Sequence, residues 1–298
     1  MRIKNNKDWT PLHLAAVNGH TEVVKLLIDQ GASFIAETND GYTPLHIAAK
    51  NGRTEVVKLL IDQGANFIAE TKDGYTPLHI AAKNGHTKVV KLLRDKGAYV
   101  TAEANEIYTP LHIAAKNGHT EVVKLLMDRG DSFAAETKDG YTSLHLAAVN
   151  GHTEVVKLLI DKGAGFIAET NDGYTPLHIA AKNGHTKVVK LLIDKGANFI
   201  AETNDGYTPL TLATVSRHAE VIKLLRDKGA YVTAEANEIY TPLHIAAKNG
   251  HTEVVKLLID QGASFAAETK DGYTPLHLAA VNGYTKVVKL LMDQGANF

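Results

Sequence analysis

Cysteine is absent from all 298 residues. That removes disulfides, thiolate nucleophiles and cysteine-ligated zinc together, and it agrees with a reducing, intracellular setting. An excess of either charge is absent too, since 32 Lys plus Arg stand against 33 Asp plus Glu, a formal charge of −1. Surfaces for nucleic acid or anionic lipid carry a basic excess, so neither partner is expected. No stretch approaches the roughly 18 apolar residues of a membrane span, and no apolar run follows the basic residues of the N-terminus to make a signal peptide. Phosphate-loop, nucleophile-elbow and zinc-protease patterns are missing as well. At 44% hydrophobic and 22% charged residues, the chain still has ample material for a buried core.

What fills the sequence is a period of 33 residues. The tetrad Thr-Pro-Leu-His begins at Thr10, Thr43, Thr76, Thr109, Thr175, Thr241 and Thr274, with variants at Thr142 and Thr208, so nine units follow without a gap. In one unit, Thr43 is a helix N-cap and Pro44 sits at the first helical position, where its missing N–H costs nothing. Leu45, Ala48 and Ala49 then share one narrow face, and Asn51-Gly52 ends the helix. Thr54-Glu55 opens a second helix with an apolar stripe of Val56, Val57, Leu59 and Leu60, closed by Gly64. Asp40-Gly41 is a tight-turn dipeptide between pairs, predicting a projecting hairpin finger. Such a unit cannot cover both sides of its helices, so neighbours must stack on a shared core. The expectation is one elongated domain over 1–298.

The 33-residue period, T-P-L-H-x-A-A, the N-G-H turn and the L-L-x-x-G-A helix end resemble the ankyrin repeat over residues 2–298. The resemblance implies a mainly α ankyrin-repeat solenoid, helix-turn-helix pairs joined by β-hairpin fingers. It also implies a non-catalytic scaffold that holds a protein partner on a concave face of fingers and first helices, without a cofactor. The fingers depart from the family pattern G-A-D-V-N-A, reading Gly64-Ala65-Asn66-Phe67-Ile68-Ala69 and then Thr71. Two further readings remain: a structural protein that self-associates end to end, because the outer helices keep Leu12, Leu14, Val287, Val288, Leu290 and Leu291, or the targeting array of a larger effector or enzyme. The resemblance extends to ankyrin proteins of intracellular bacteria and parasites, so an intracellular place is expected, cytoplasmic or delivered into a host cell.

Fifteen histidines invite a search for metal or acid–base sites. Eight are tetrad residues (His46 among them) and seven fill the turn slot (His86 among them), so all follow the repeat. The resemblance implies that the tetrad histidine ties finger to helix by hydrogen bonds. One Asp-Gly per finger is too few oxygens for calcium.

Two ladders are candidates for partner binding. The first is aromatic, Trp9, Tyr42, Tyr75, Tyr108, Tyr141, Tyr174, Tyr207, Tyr240 and Tyr273, one per finger. Tyrosine is enriched at interface hot spots, although a ring in every unit also suits packing of finger on finger. The second is Lys50, Lys83, Lys116, Lys182 and Lys248, which the resemblance places on the concave face. Val17, Val149 and Val281 replace that lysine, and Ile107 and Ile239 replace the finger glycine. The seventh unit is the irregular one: Thr211 stands in place of the tetrad histidine, Thr214 in place of alanine, and Ser216-Arg217 in place of Asn-Gly, which would force Arg217 to a positive φ.

Overall fold

The computed structural model describes residue 5 and residues 8–98, 108–230 and 240–296. Among these, eighteen short helices form nine antiparallel pairs. The chain divides into two compact units.

The first unit comprises 1–147 with 154–164. Its helices are α1 (Pro11–Asn18), α2 (Thr21–Asp29), α3 (Pro44–Lys50), α4 (Thr54–Asp62), α5 (Pro77–Lys83), α6 (Thr87–Asp95), α7 (Pro110–Lys116) and α8 (Thr120–Asp128), with most of α9 (Ser143–Val149) and α10 (Thr153–Asp161). The second unit comprises 148–153 with 165–298. It holds α11 (Pro176–Lys182), α12 (Thr186–Asp194), α13 (Pro209–Val215), α14 (Ala219–Asp227), α15 (Pro242–Lys248), α16 (Thr252–Asp260), α17 (Pro275–Val281) and α18 (Thr285–Asp293).

Each first helix is started by the tetrad. At α3 the Thr43 Oγ1 accepts from the His46 N–H (3.4 Å), while His46 Nδ1 accepts from the Thr43 N–H (3.2 Å). This is a capping box with histidine in the place usually taken by Glu or Gln. Ala48 and Ala49 are fully buried, and side chains this small let α3 lie directly against α1 and α5. In α4 the same core takes Val56, Val57, Leu60 and Ile61. Glu55, Lys58 and Asp62 point to solvent, where Asp62 meets Lys96 of the next pair at 2.9 Å. Such exposed pairs contribute about 0–1 kcal/mol each.

The fingers are tight turns, and no strand forms among the described residues. The turn is closed by the Thr38 N–H donating to Tyr42 O (3.0 Å), with Thr38 Oγ1 accepting from the Tyr42 N–H (3.1 Å). Thr71 does the same for Tyr75. The threonine that departs from the family pattern is thus the brace of the finger. Successive fingers are joined in turn by the Lys72 N–H to Asp40 O (3.1 Å) and, in the second unit, the Asn204 N–H to Asp172 O (3.1 Å).

The outer helices differ from expectation in part. Val287 and Leu291 of α18, which packs on both α17 and α16, are buried, and Leu12 and Ala15 of α1 are buried too. The large apolar side chains left exposed are Leu14, Val23 and Leu26 in the first helix pair and Val281, Tyr284 and Met292 in the last.

Candidate binding surface

The tetrad histidines are consumed by structure. His46 is fully buried. Its Nδ1 accepts from Thr43, so Nε2 carries the proton and donates to Ala69 O (3.0 Å) and Tyr75 O (3.2 Å) of the next finger. His13 donates to Tyr42 O, His178 to Ala201 O and His244 to Tyr273 O in the same way. Burial pushes the His46 and His79 pKa down to about 4, against the opposing effect of the carbonyl bonds. Neutral at pH 7 and hydrogen-bonded at both ring nitrogens, His46 and His79 have no free site for proton transfer. Among the described residues, no three His, Asp or Glu cluster to hold a metal.

The turn-slot histidines have a role that sequence reasoning missed. Nε2 of His86, His119 and His218 donates to the last-turn carbonyls of Lys50, Lys83 and Lys182, 36 residues earlier, at 2.9–3.0 Å. Carbonyls at a helix end have no intrahelical partner, so these three histidines cap the helix of the repeat before. The ring lies on the turn glycine, and a Cβ at Gly85 would come within 2.6 Å of His119 Nδ1. The signal was legible in the fixed separation of a ring donor and an orphan carbonyl.

Arg217 breaks this arrangement. It holds φ +62 with a side chain where other units have glycine. His251 accordingly turns and places Nδ1 3.3 Å from Thr214 O instead. Thr214 is fully buried, and its hydroxyl is satisfied by donating to Leu210 O (2.8 Å). Thr211 keeps the cap, its N–H donating to Thr208 Oγ1 (3.2 Å).

The aromatic and lysine ladders come together, which their sequence spacing of eight did not reveal. Lys50 Nζ lies over the Tyr42 ring at 5.5 Å, Lys83 over Tyr75 at 5.6 Å, and Lys116 over Tyr108 at 4.9 Å. In the second unit Lys182 covers Tyr174 at 5.1 Å and Lys248 covers Tyr240 at 4.6 Å. Each of these rings also meets the edge of its tetrad histidine, with centroids 5.9–6.3 Å apart. One side of the tyrosine therefore packs into the repeat and the other meets an exposed ammonium.

Trp9, Tyr141 and Tyr273 also lie against their histidines, but Val17, Val149 and Val281 stand where the lysine would be. Tyr207 has neither lysine, since Val215 takes that place, nor histidine, and it is among the more exposed rings. Ile107 and Ile239 lie outside the described residues. The Tyr42 hydroxyl has its pKa raised by burial, then by Asp73, Asp40 and Tyr75 nearby.

A different kind of link lies between α6 and the turn after α8. Arg94, 4% exposed, reaches Asp131 at 2.6 Å and donates to Ala98 O and Arg129 O. This pair ties neighbouring units from inside rather than at the surface.

Among the described residues, no helix is long and apolar enough to cross a membrane. No curated protein matches the sequence. The crystal structure of the human ASB11 ankyrin repeat domain is similar to this chain, with a TM-score of 0.67 and 31% identity over 73% of this chain and 98% of that one. The family profile described as ankyrin repeats, in three copies, matches residues 1–71, 35–104, 102–170, 165–236 and 233–298. The fold is one that generally serves as a protein-interaction scaffold rather than an enzyme. Paired helices on a 33-residue period, capped by tetrad histidines and matched from end to end by that profile, make this chain a member of the ankyrin-repeat family.

Proposed function

We propose that the chain is a non-catalytic scaffold that holds a protein partner across its tyrosine–lysine ladder, on the face of fingers and first helices, with residues 1–298 acting as one domain. The observation that carries this reading is the repeated rung itself, an ammonium over a tyrosine ring five times over. A large, rigid ring with a cation beside it suits a hot spot. The even charge balance favours a protein over nucleic acid or an anionic membrane. Capture of partners by the intact chain is to be compared with capture by a chain carrying Ala at Tyr42, Tyr75 and Tyr108, and by a control with Ala at the exterior Lys58 and Asp62. Loss in the first variant alone is the expected outcome. Equal capture by all three would remove the ladder as the binding face.

A second reading is end-to-end self-association, favoured by the exposed Leu14, Val23 and Leu26 of the first helix pair. Light scattering on a concentration series is the test, with Leu26→Lys expected to shift the chain toward monomer. A monomer at every concentration would dismiss it.

A further inference from the structure

Three rungs follow one another without interruption inside the first compact unit: Tyr42–Lys50, Tyr75–Lys83 and Tyr108–Lys116. The lysines are the last residues of α3, α5 and α7, which pack directly side by side. Packed helices stand about 8–10 Å apart, so the ammonium groups form a row with a repeat of about 9 Å. Each ammonium lies 4.9–5.6 Å from its ring centroid, which makes the strip from lysine row to tyrosine row about one ring wide. Lys50 and Lys83 are exposed, and among the described residues neither has an ion-pair partner. The finger carboxylates Asp40 and Asp73 act on the Tyr42 hydroxyl. The strip is thus positive along the helix ends, aromatic along its floor, and flanked by carboxylates at the fingers.

We infer that this strip takes an extended protein segment in the polyproline II conformation, with a carboxylate at every third residue. That conformation has three residues per turn and rises about 3.1 Å per residue, so every third side chain faces the same way at a repeat of about 9.3 Å. The helices that carry the lysines pack about 8–10 Å apart, a range that includes this repeat. A β-strand alternates its side chains with a period of two and would turn every second carboxylate of such a series away. An α-helix is about 10–12 Å across, roughly twice the width of the strip. Prolines between the acidic residues add flat apolar faces of the kind that dock on aromatic-lined grooves. Over a tyrosine at an exposed site Lys50 and Lys83 are held weakly, so their ammonium groups can swing to a carboxylate without breaking an ion pair. The row stops at three because Val149 follows. In the second unit Lys182 and Lys248 are separated by Val215, which leaves no three rungs in succession there.

This inference rests on the ladder reading proposed above and names the ligand chemistry for it. The test uses the full chain and a fluorescent peptide of four Glu-Pro-Pro triplets, with binding followed by anisotropy at low and physiological salt. The comparison peptides are four Gln-Pro-Pro triplets, a Glu-Pro-Pro-Pro series, and an alanine-based helix with Glu at every seventh residue. The Glu-Pro-Pro peptide is expected to bind saturably. Binding should weaken about tenfold or more with each comparison peptide and with the Lys50→Gln, Lys83→Gln, Lys116→Gln variant, circular dichroism being unchanged. The Lys58→Gln, Lys91→Gln variant, on the solvent side of α4 and α6 and outside the ladder, should bind as the parent does. Absence of binding, equal binding of the four-residue series, or indifference to the triple substitution would overturn the inference. If the helical peptide binds instead and needs the same lysines, the ladder stands as a binding surface and the polyproline II ligand falls. If ladder substitutions also leave partner capture unchanged, both fall.

Discussion

His46→Thr copies into the second repeat what Thr211 does naturally in the seventh. The new threonine keeps the N-cap, as Thr211 does with Thr208, but the acceptor for the Thr43 N–H and the donor to Ala69 O and Tyr75 O are lost. Three hydrogen bonds at about 1 kcal/mol each, some leaving buried groups unpaired, make a cost of about 3 kcal/mol at pH 7. The pH dependence is the sharper part. The folded pKa of His46 is about 4 against 6.5 for the free side chain, and at about 1.4 kcal/mol per unit the difference corresponds to about 3 kcal/mol. Because the folded value is depressed, this stability is fully present above pH 6.5. It is lost as pH falls toward 4, where the unfolded chain takes a proton that the folded chain refuses. The penalty of His46→Thr should therefore shrink from about 3 kcal/mol at pH 7 to nearly nothing at pH 4, other titrations cancelling in the difference. Urea unfolding of both chains at several pH values, read by circular dichroism and by Trp9, the one tryptophan, measures it. A penalty independent of pH would refute the reasoning, because the histidine would then not be held neutral by burial.

Replacing Thr211, Thr214 and Arg217 by His, Ala and Gly should slow hydrogen exchange in α13, with about 1 kcal/mol coming from relief of the positive φ at Arg217 and with His251 returning to the Val215 carbonyl; unchanged exchange would show that neighbours already compensate. Gly97→Ala should cost about 1 kcal/mol for its φ of +87 alone, since nothing stands within 4 Å of the new Cβ. Gly85→Ala should cost about 1 kcal/mol more, because it displaces His119 from Lys83 O; equal melting shifts would contradict this. Asp131→Ala should destabilise by about 2 kcal/mol by removing the charge-assisted hydrogen bond from the buried Arg94, and thermal unfolding of the variant is the check.

Much of the fold could be read in the residues because each local signal pointed the same way. Thr43 and Pro44 set the start of α3, Thr54 the start of α4, and Val56, Val57 and Leu60 went inside. The positive φ of Arg217 followed from its slot in the turn. Links between units were harder to read. The His86 bond to Lys50 O spans 36 residues, and nothing local at either residue announces it. The Tyr42–Lys50 pairing was hidden for another reason. Tyr42 precedes the cap, so the eight-residue spacing is not a helical one and only the bend of the chain brings ring and ammonium together. The finger lost its expected strands because Thr38 closes a short turn on Tyr42 by side chain and backbone at once, leaving no length for a ladder.

The histidine hydrogen bonds that stitch one repeat to the next, such as those of His46 and His86, reach 23, 29 or 36 residues along the chain. Their separation is set by the period and not by the length of the array. Closing a loop of this size carries the same entropy cost at the second unit as at the eighth, since that cost depends on the logarithm of loop length alone. Relative contact order therefore falls as units are added, and folding that begins in one pair can spread to the next without a longer search. Whole units can be inserted or removed in steps of 33 residues while the barrier to closing each new junction stays the same.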